Sequence, residues 1–234
     1  MTRAAGGRGR ARRRVPQPGL VALDFPPWFF DRDDPGPDAR FYTAPRFVTH
    51  IDDGAVAAVG DLYAELGVDG PDQRVLDLMS SWVSHLRRRP GELVVLGMNA
   101  AELDANEQAT ERVVQDLNAD PTLPFDDASF DAVLCVVSID YLVRPIDVLR
   151  EAGRVLKPGA PAVVTFSNRC FPTKAVHGWL VLDDDGRCAI VAEYFRRAGL
   201  FDEADVQLRT PPGRDRGGRY RGDPLYAVIA RRSA

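Results

Sequence analysis

RVLDLMSS (Arg74–Ser81), ELVVLGMN (Glu92–Asn99) and FDAVLCVVS (Phe130–Ser138) are three short apolar runs, each ending in small or polar residues. Continuous aliphatic and β-branched runs separated by stretches of helical length are typical of a parallel sheet covered on both faces. Ligands of such sheets bind at the carboxyl ends of the strands. We therefore predict an α/β fold whose site lies where these runs end.

The rest of the chain supplies weaker patterns for the other elements. Apolar periodicity and stop signals such as Gly67 and Gly199 predict helices over residues 54–66, 82–89, 100–109, 144–156 and 188–198. Further strands are predicted over residues 112–116, 162–167, 204–208 and 225–230, the last two as an antiparallel pair at one edge. The sequence contains no internal repeat.

Composition limits the class of protein. The 234 residues are 45% hydrophobic and 27% charged, values close to those of soluble globular proteins. No apolar run reaches the roughly 18 residues that a membrane-spanning helix needs. The net charge of -4 disfavours a nucleic-acid-binding body, because backbone phosphates require a clustered excess of Lys and Arg. We expect a soluble, cytoplasmic protein without nucleic-acid or membrane partners.

The amino-terminal segments differ in composition from the body. Residues 1–19 contain six Arg and no acid, which predicts a disordered tail, with a targeting segment or an arm for anionic surfaces as open alternatives. Residues 20–70 begin with closely spaced aromatics and prolines and are predicted to form an irregular and helical cover, called the cover below. Residues 71–234 then form the main domain.

The three cysteines do not suggest a metal centre. Cys135, Cys170 and Cys188 are widely spaced and form no C-x-x-C pair. Neither structural zinc nor a disulfide framework is predicted. A reducing cytoplasm fits this pattern best.

Two stretches carry a resemblance to a known family. LPFDDASFDAVL (Leu123–Leu134) closely matches the L-P-F-x-D-x-S-F-D-x-V stretch of class I S-adenosylmethionine-dependent methyltransferases. VLREAGRVLKPG (Val148–Gly159) looks like the helix and turn before the fifth strand of that family. Over residues 72–200 the chain resembles this family. The resemblance implies a doubly wound, mostly parallel seven-stranded Rossmann-like sheet that binds S-adenosylmethionine and methylates a small molecule.

The resemblance also implies cofactor-binding residues at four strand ends. These are Asp77, Leu78, Met79, Ser80 and Ser81 after the first strand, Met98 and Asn99 at the ribose, Asp116, Leu117 and Asn118 at the adenine, and Val136 on the methionine side. Asp77 either contacts the cofactor or caps a helix, and Asn99 either contacts the ribose or caps the helix that follows. The family's first turn is rich in glycine, whereas this one contains none, which leaves a catalytically inert binding module as the alternative function.

Candidate catalytic residues come from the cover and from the segment after the fourth strand. Methyl transfer depends mainly on positioning, and it needs a base only when the nucleophile is protonated. His50, Asp140 and Tyr141 are the candidates, with Asp52, residues 167–171, Lys174 and His177 also near the expected edge. His85 is predicted on a helix surface. A nicotinamide dehydrogenase is disfavoured because no G-x-G-x-x-G follows the first strand.

Overall fold

The computed structural model describes residues 13–14, 25–210, 213–214 and 220–234. Of the predicted disordered tail, only the two-residue strand Arg13–Arg14 belongs to these ranges, and its backbone pairs with the strand at residues 205–210. The rest of residues 1–19 lies outside the described residues. Disorder of the tail therefore stays a prediction.

The central sheet arises from the apolar runs. Within the described ranges it contains β1 (Arg13–Arg14), β2 (Arg74–Leu78), β3 (Glu92–Gly97), β4 (Glu111–Val114), β5 (Ala132–Val136), β6 (Pro161–Phe166), β7 (Asp205–Thr210) and β10 (Leu225–Arg231). Their spatial order is β1-β7-β10-β6-β5-β2-β3-β4. Strands β2 to β6 are parallel, whereas β7 and β10 are antiparallel. The predicted seven-stranded sheet with an antiparallel edge pair is confirmed, with β1 as an added edge strand.

Helices cover both faces of this sheet, which confirms the doubly wound architecture. The helices are α1 (Asp38–Phe41), α2 (Asp53–Leu66), α3 (Ala100–Asp104), α4 (Pro145–Val155), α5 (His177–Val181) and α6 (Asp184–Ala198), with a 3-10 helix at Ile139–Tyr141. Alternate strand residues face opposite cores: Leu76 and Leu78 pack on the α4 and α6 side, and Val75 packs on the α2 side. The short strands β8 (Gly213–Arg214) and β9 (Tyr220–Arg221) pair separately.

The helix predicted over residues 82–89 is wrong. This segment is irregular, and His85 adopts a left-handed backbone conformation with φ 55°. Helix α2 of the cover packs against it so closely that a Cβ at Gly60 would lie 3.2 Å from the His85 carbonyl oxygen. Because α2 already covers this part of the sheet face, the segment runs as a loop between β2 and β3.

The helix predicted over residues 100–109 is correct in place but too long. It ends at Asp104, and Asn106 follows as a buried residue. The Asn106 side chain donates hydrogen bonds to the Ser81 carbonyl and the Ser84 hydroxyl, and accepts one from the backbone N–H of Gln108. These local bonds compete with a continued helix.

Buried charges hold the start of the cover on the main domain. Lys174, which is 1% exposed, lies 3.0 Å from carboxylate oxygens of both Asp34 and Asp38. Asp38 also accepts hydrogen bonds from Arg32 and Asn118. The described helices include none long and apolar enough to cross a membrane.

Candidate functional site

A cleft, called the rim cleft below, opens where the parallel strands end, under the cover. Its walls come from the turn after β2, the ends of β3, β4 and β5, the cover between residues 38 and 50, and Phe171. Of the predicted cofactor-binding residues and the three main catalytic candidates, all but Leu78 and Asp140 line it: His50, Asp77, Met79, Ser80, Ser81, Met98, Asn99, Asp116, Leu117, Asn118, Val136 and Tyr141. The sheet topology therefore brings together residues that are far apart in sequence.

Asp77 is a buried acid at the base of the cleft. Its Oδ2 accepts a 2.6 Å hydrogen bond from the Ser80 hydroxyl. Burial raises the pKa of Asp77 to about 6, and this hydrogen bond opposes the rise by stabilising the ionised form. Asp77 is therefore an acceptor whose charge depends on pH near neutrality.

The turn after β2 forms without glycine. Met79 has φ 53°, which lies in the left-handed region that glycine adopts freely and other residues adopt at a cost. The Ser80 N–H donates a 2.8 Å hydrogen bond to the Leu96 carbonyl, and a Cβ at Gly97 would overlap the Ser80 carbonyl oxygen. Gly97 on the neighbouring strand therefore allows the turn backbone at Ser80 to approach closely. Met79 is the residue of the turn that adopts the unfavourable left-handed conformation.

Asn99 links β3, α3 and the cover. Its Oδ1 accepts a hydrogen bond from the Glu102 N–H as the N-cap of α3. Its Nδ2 donates to the Tyr42 carbonyl at 2.8 Å and to the Thr43 carbonyl at 3.2 Å. The capping alternative for Asn99 is therefore realised, and both of its polar atoms are engaged by the protein.

Asp116 and Asn118 shape the end of β4. Oδ1 of Asp116 accepts the N–H groups of Asn118 and Ala119 at 2.9 and 3.3 Å. The Asn118 side chain donates to Asp38 and to the Tyr141 carbonyl, and accepts from the Val143 N–H. The Asn118 side chain thus connects three segments of the protein, whereas Asp116 lines the cleft and its second carboxylate oxygen accepts no hydrogen bond from the described residues.

The three catalytic candidates differ in position. His50 lines the cleft, and burial lowers its pKa, so the imidazole is neutral at pH 7. Tyr141 also lines the cleft, but its hydroxyl accepts the Phe171 N–H at 2.9 Å, and burial raises its pKa. Asp140 does not line the cleft; it is buried in the body, so its position gives no support to a catalytic role.

Several other predicted residues have structural roles. Leu78 does not line the cleft because strand alternation directs it into the hydrophobic core. Asp52 caps α2 by accepting the Ala55 N–H, and His177 contacts Asp33 at 2.8 Å. Lys174 anchors the cover as described above.

Sequence reasoning missed several residues that line the cleft, among them Glu102, Arg46 and His85. Glu102 is buried, and its Oε1 accepts the Arg46 N–H at 2.7 Å. The Arg46 guanidinium lies over the rings of Phe41 and Phe171, at 4.6 and 5.6 Å from their centroids. His85 lines the cleft rather than a helix surface, and burial lowers its pKa to about 4. Only Glu102 had a sequence signal, since it stands three residues after a helix-capping Asn.

The described residues contain no group of three or more His, Cys, Asp or Glu side chains arranged to hold a metal ion. The polar residues that line the cleft include the carboxylates of Asp77, Glu102 and Asp116. Apolar side chains such as Met98 and Leu117 line the same cleft. This arrangement suits an elongated organic ligand with several donor groups.

Comparison with known sequences connects the cleft to a family. A family model described as a methyltransferase domain matches residues 80–164, from the turn after β2 into β6. The curated proteins searched gave no match.

Solved structures share the fold at low sequence identity. An S-adenosylmethionine-dependent methyltransferase from Thermotoga maritima is 16% identical with a TM-score of 0.53, over 76% of this chain and 90% of that one. The [4+2]-cyclase SpnF is 16% identical with a TM-score of 0.55, over 84% and 91%. The trans-methyltransferase CalH, solved with S-adenosylhomocysteine, is 16% identical with a TM-score of 0.55, over 75% and 56%. At this identity the likeness establishes the fold.

Proposed function

We propose that the chain is a class I S-adenosylmethionine-dependent methyltransferase that binds S-adenosylmethionine in the rim cleft and methylates a small-molecule acceptor, which the match of residues 80–164 to a methyltransferase-domain family model supports. The observation that carries the proposal is the convergence of the ends of β2, β3 and β4 on one cleft, with the carboxylates of Asp77 and Asp116 among its lining residues. The family resemblance assigns cofactor contacts to these three strand ends.

The chemistry of the cleft fits an adenosyl group. The available oxygen of Asp116 can accept from an exocyclic amine, and Leu117 and Met98 offer apolar surface for a ring. Asp77, when ionised, can accept from an ammonium group. Bound S-adenosylmethionine would supply an activated methyl group, so this chain would need to hold and align the acceptor rather than form a covalent bond to it.

The acceptor would enter beside the cover. Tyr42, His50, Tyr141 and Phe171 line that part of the cleft with aromatic surface. If the acceptor's nucleophile carries a proton, His50 is the candidate base, because its imidazole is neutral at pH 7. Tyr141 would instead shape the pocket, since its hydroxyl is held by the Phe171 backbone and stays protonated.

Calorimetric titration with S-adenosylmethionine and with S-adenosylhomocysteine tests the proposal. We expect saturable binding of both, and weaker binding by Asp116→Ala because the amine acceptor is lost. Asp126→Ala is the matched control, since that carboxylate is exposed on a turn outside the cleft. A folded protein that binds neither ligand contradicts the proposal. Unchanged affinity in Asp116→Ala contradicts the adenine assignment alone.

A binding module without methyl transfer is the second candidate. The glycine-free turn at Met79 favours it, because backbone approach to a ligand is less free there than in a glycine-rich turn. Binding of S-adenosylmethionine without formation of S-adenosylhomocysteine across a broad panel of small nucleophiles would support this candidate. Product formation with any acceptor would exclude it.

A further inference from the structure

A carboxylate lies close to the end of β3, but it belongs to Glu102 in the following helix α3 rather than to the residue at the strand end. Asn99 occupies the position where the family commonly has an acid for the ribose hydroxyls, but its amide is committed to the N-cap of α3 and to the cover. Glu102, one helical turn later, lines the same cleft. The carboxylate that Asn99 lacks is thus present in the cleft three residues later, at Glu102.

The hydrogen bonds of Glu102 leave half of its carboxylate available. Oε1 accepts the Arg46 N–H at 2.7 Å, which fixes the orientation of the side chain. Oε2 accepts no hydrogen bond within the described part of the chain. A carboxylate oxygen without a protein partner, on a residue that lines a cleft, is a strong acceptor for hydroxyl donors, because charge-assisted hydrogen bonds are about twice as strong as neutral ones.

We infer that Glu102, rather than Asn99, is the residue that recognises a vicinal diol in the rim cleft. The inference rests on the proposed function and specifies the ribose contact within it. Asn99 acts as a positioning residue, since it caps the helix that carries Glu102 and ties the cover across it. The same Glu102 side chain then couples the diol to the cover through the Arg46 backbone.

The test compares S-adenosylhomocysteine with its analogue lacking both ribose hydroxyls, by titration calorimetry on the full chain. The wild type should prefer the diol-containing ligand by about tenfold or more. Glu102→Gln keeps the side-chain size and an acceptor for the Arg46 N–H but removes the charge. It should lose most of this preference by weakening the diol-containing ligand, with the affinity for the analogue unchanged.

Asn99→Ser provides the matched comparison, since serine is also a good N-cap. It should keep the preference for the diol. A preference that survives in Glu102→Gln and disappears in Asn99→Ser overturns the inference. Equal weakening of both ligands by Glu102→Gln also overturns it, because that result assigns Glu102 only to holding the cover. Failure of the wild type to bind either ligand contradicts the proposed function instead, and melting curves of both variants verify that they are folded.

Discussion

The Ser80 hydroxyl lies 2.6 Å from Oδ2 of Asp77 and donates a hydrogen bond to it at the base of the rim cleft. Asp77 has a pKa of about 6, raised by burial from 3.8, so it is largely protonated at pH 5 and largely ionised at pH 7. A ligand that donates to Asp77 binds the ionised form, and its affinity should therefore increase as the pH rises through 6 and level off above 7.

The corresponding measurement is the dissociation constant of S-adenosylhomocysteine between pH 5 and pH 8. Asp77→Asn should weaken binding and abolish this part of the pH dependence. Ser80→Ala removes a hydrogen bond that stabilises the ionised carboxylate, so it should move the midpoint to higher pH. A wild-type affinity that is flat across this range would show that Asp77 does not contact the ligand.

Met79 tests whether the turn is strained. Because its φ is 53°, replacement by glycine should relieve a backbone cost that replacement by alanine retains. We expect Met79→Gly to be more stable to urea than Met79→Ala by about 1 kcal/mol. Both variants lose the same packing of the Met79 side chain against the core, so their difference isolates the backbone.

Ser81 provides the control for this comparison, since its φ is not in the left-handed region. There the order should reverse, with Ser81→Ala at least as stable as Ser81→Gly, because glycine gains more freedom on unfolding. If Met79→Ala is also at least as stable as Met79→Gly, the turn at Met79 carries no backbone strain.

The sheet could be predicted because its signal is local. Each buried strand appears as a continuous apolar run, and the antiparallel edge pair was found for the same reason. The segment at residues 82–89 was misread because its conformation depends on a distant element. Its local composition suits a helix, but α2 occupies the adjacent sheet face and contacts this segment at Gly60. No sequence pattern within residues 82–89 indicates that this segment contacts α2.

In the candidate site, too, some positions follow from local sequence and others depend on contacts with distant elements. Asp77, Asn99 and Asp116 were predicted because strand ends of a parallel sheet converge on one edge. Asp140 was assigned to the edge by its position after β5, but the 3-10 helix at Ile139–Tyr141 turns it into the core. Arg46 and His85 were missed because their approach to the cleft depends on how the cover and the loop after β2 fold, which hydrophobic periodicity does not encode.

Lys174 tests how the cover is held. Its ammonium group is almost fully buried and lies 3.0 Å from both Asp34 and the buried Asp38, so its removal leaves the Asp38 carboxylate with Arg32 as its one remaining ion-pair partner among the described residues. Lys174→Met should lower the free energy of unfolding by about 2 kcal/mol, because a charge-assisted contact to the buried Asp38 is lost while Arg32 remains. Lys157→Met is the control, because the Lys157–Asp131 pair is partly exposed and should contribute about 1 kcal/mol or less. Similar losses in urea unfolding for both variants would contradict a special role for the buried pair.

Asp140 should make the stability of the fold decrease as the pH rises toward 8. Burial raises its pKa to about 8, and Oδ2 has no hydrogen-bond partner among the described residues. Between its unfolded pKa of about 3.8 and pH 8 the folded protein therefore retains a proton that the unfolded chain has lost. Since the folded state binds more protons, the stability contributed by this group falls as the pH rises across that range.

Asp140→Asn removes the titration while keeping the shape of the side chain. The melting temperature of the wild type should fall between pH 6.5 and pH 8, a window in which Asp77 is already largely ionised, and the variant should fall less. Burying an amide in place of the acid shifts the melting temperature of the variant by the same amount at pH 6.5 and at pH 8. The change in melting temperature between these two pH values is therefore the quantity that reports on the ionisation of Asp140. Parallel curves for wild type and variant in this window would mean that Asp140 is ionised in the folded protein, which would require a donor or a water molecule at Oδ2.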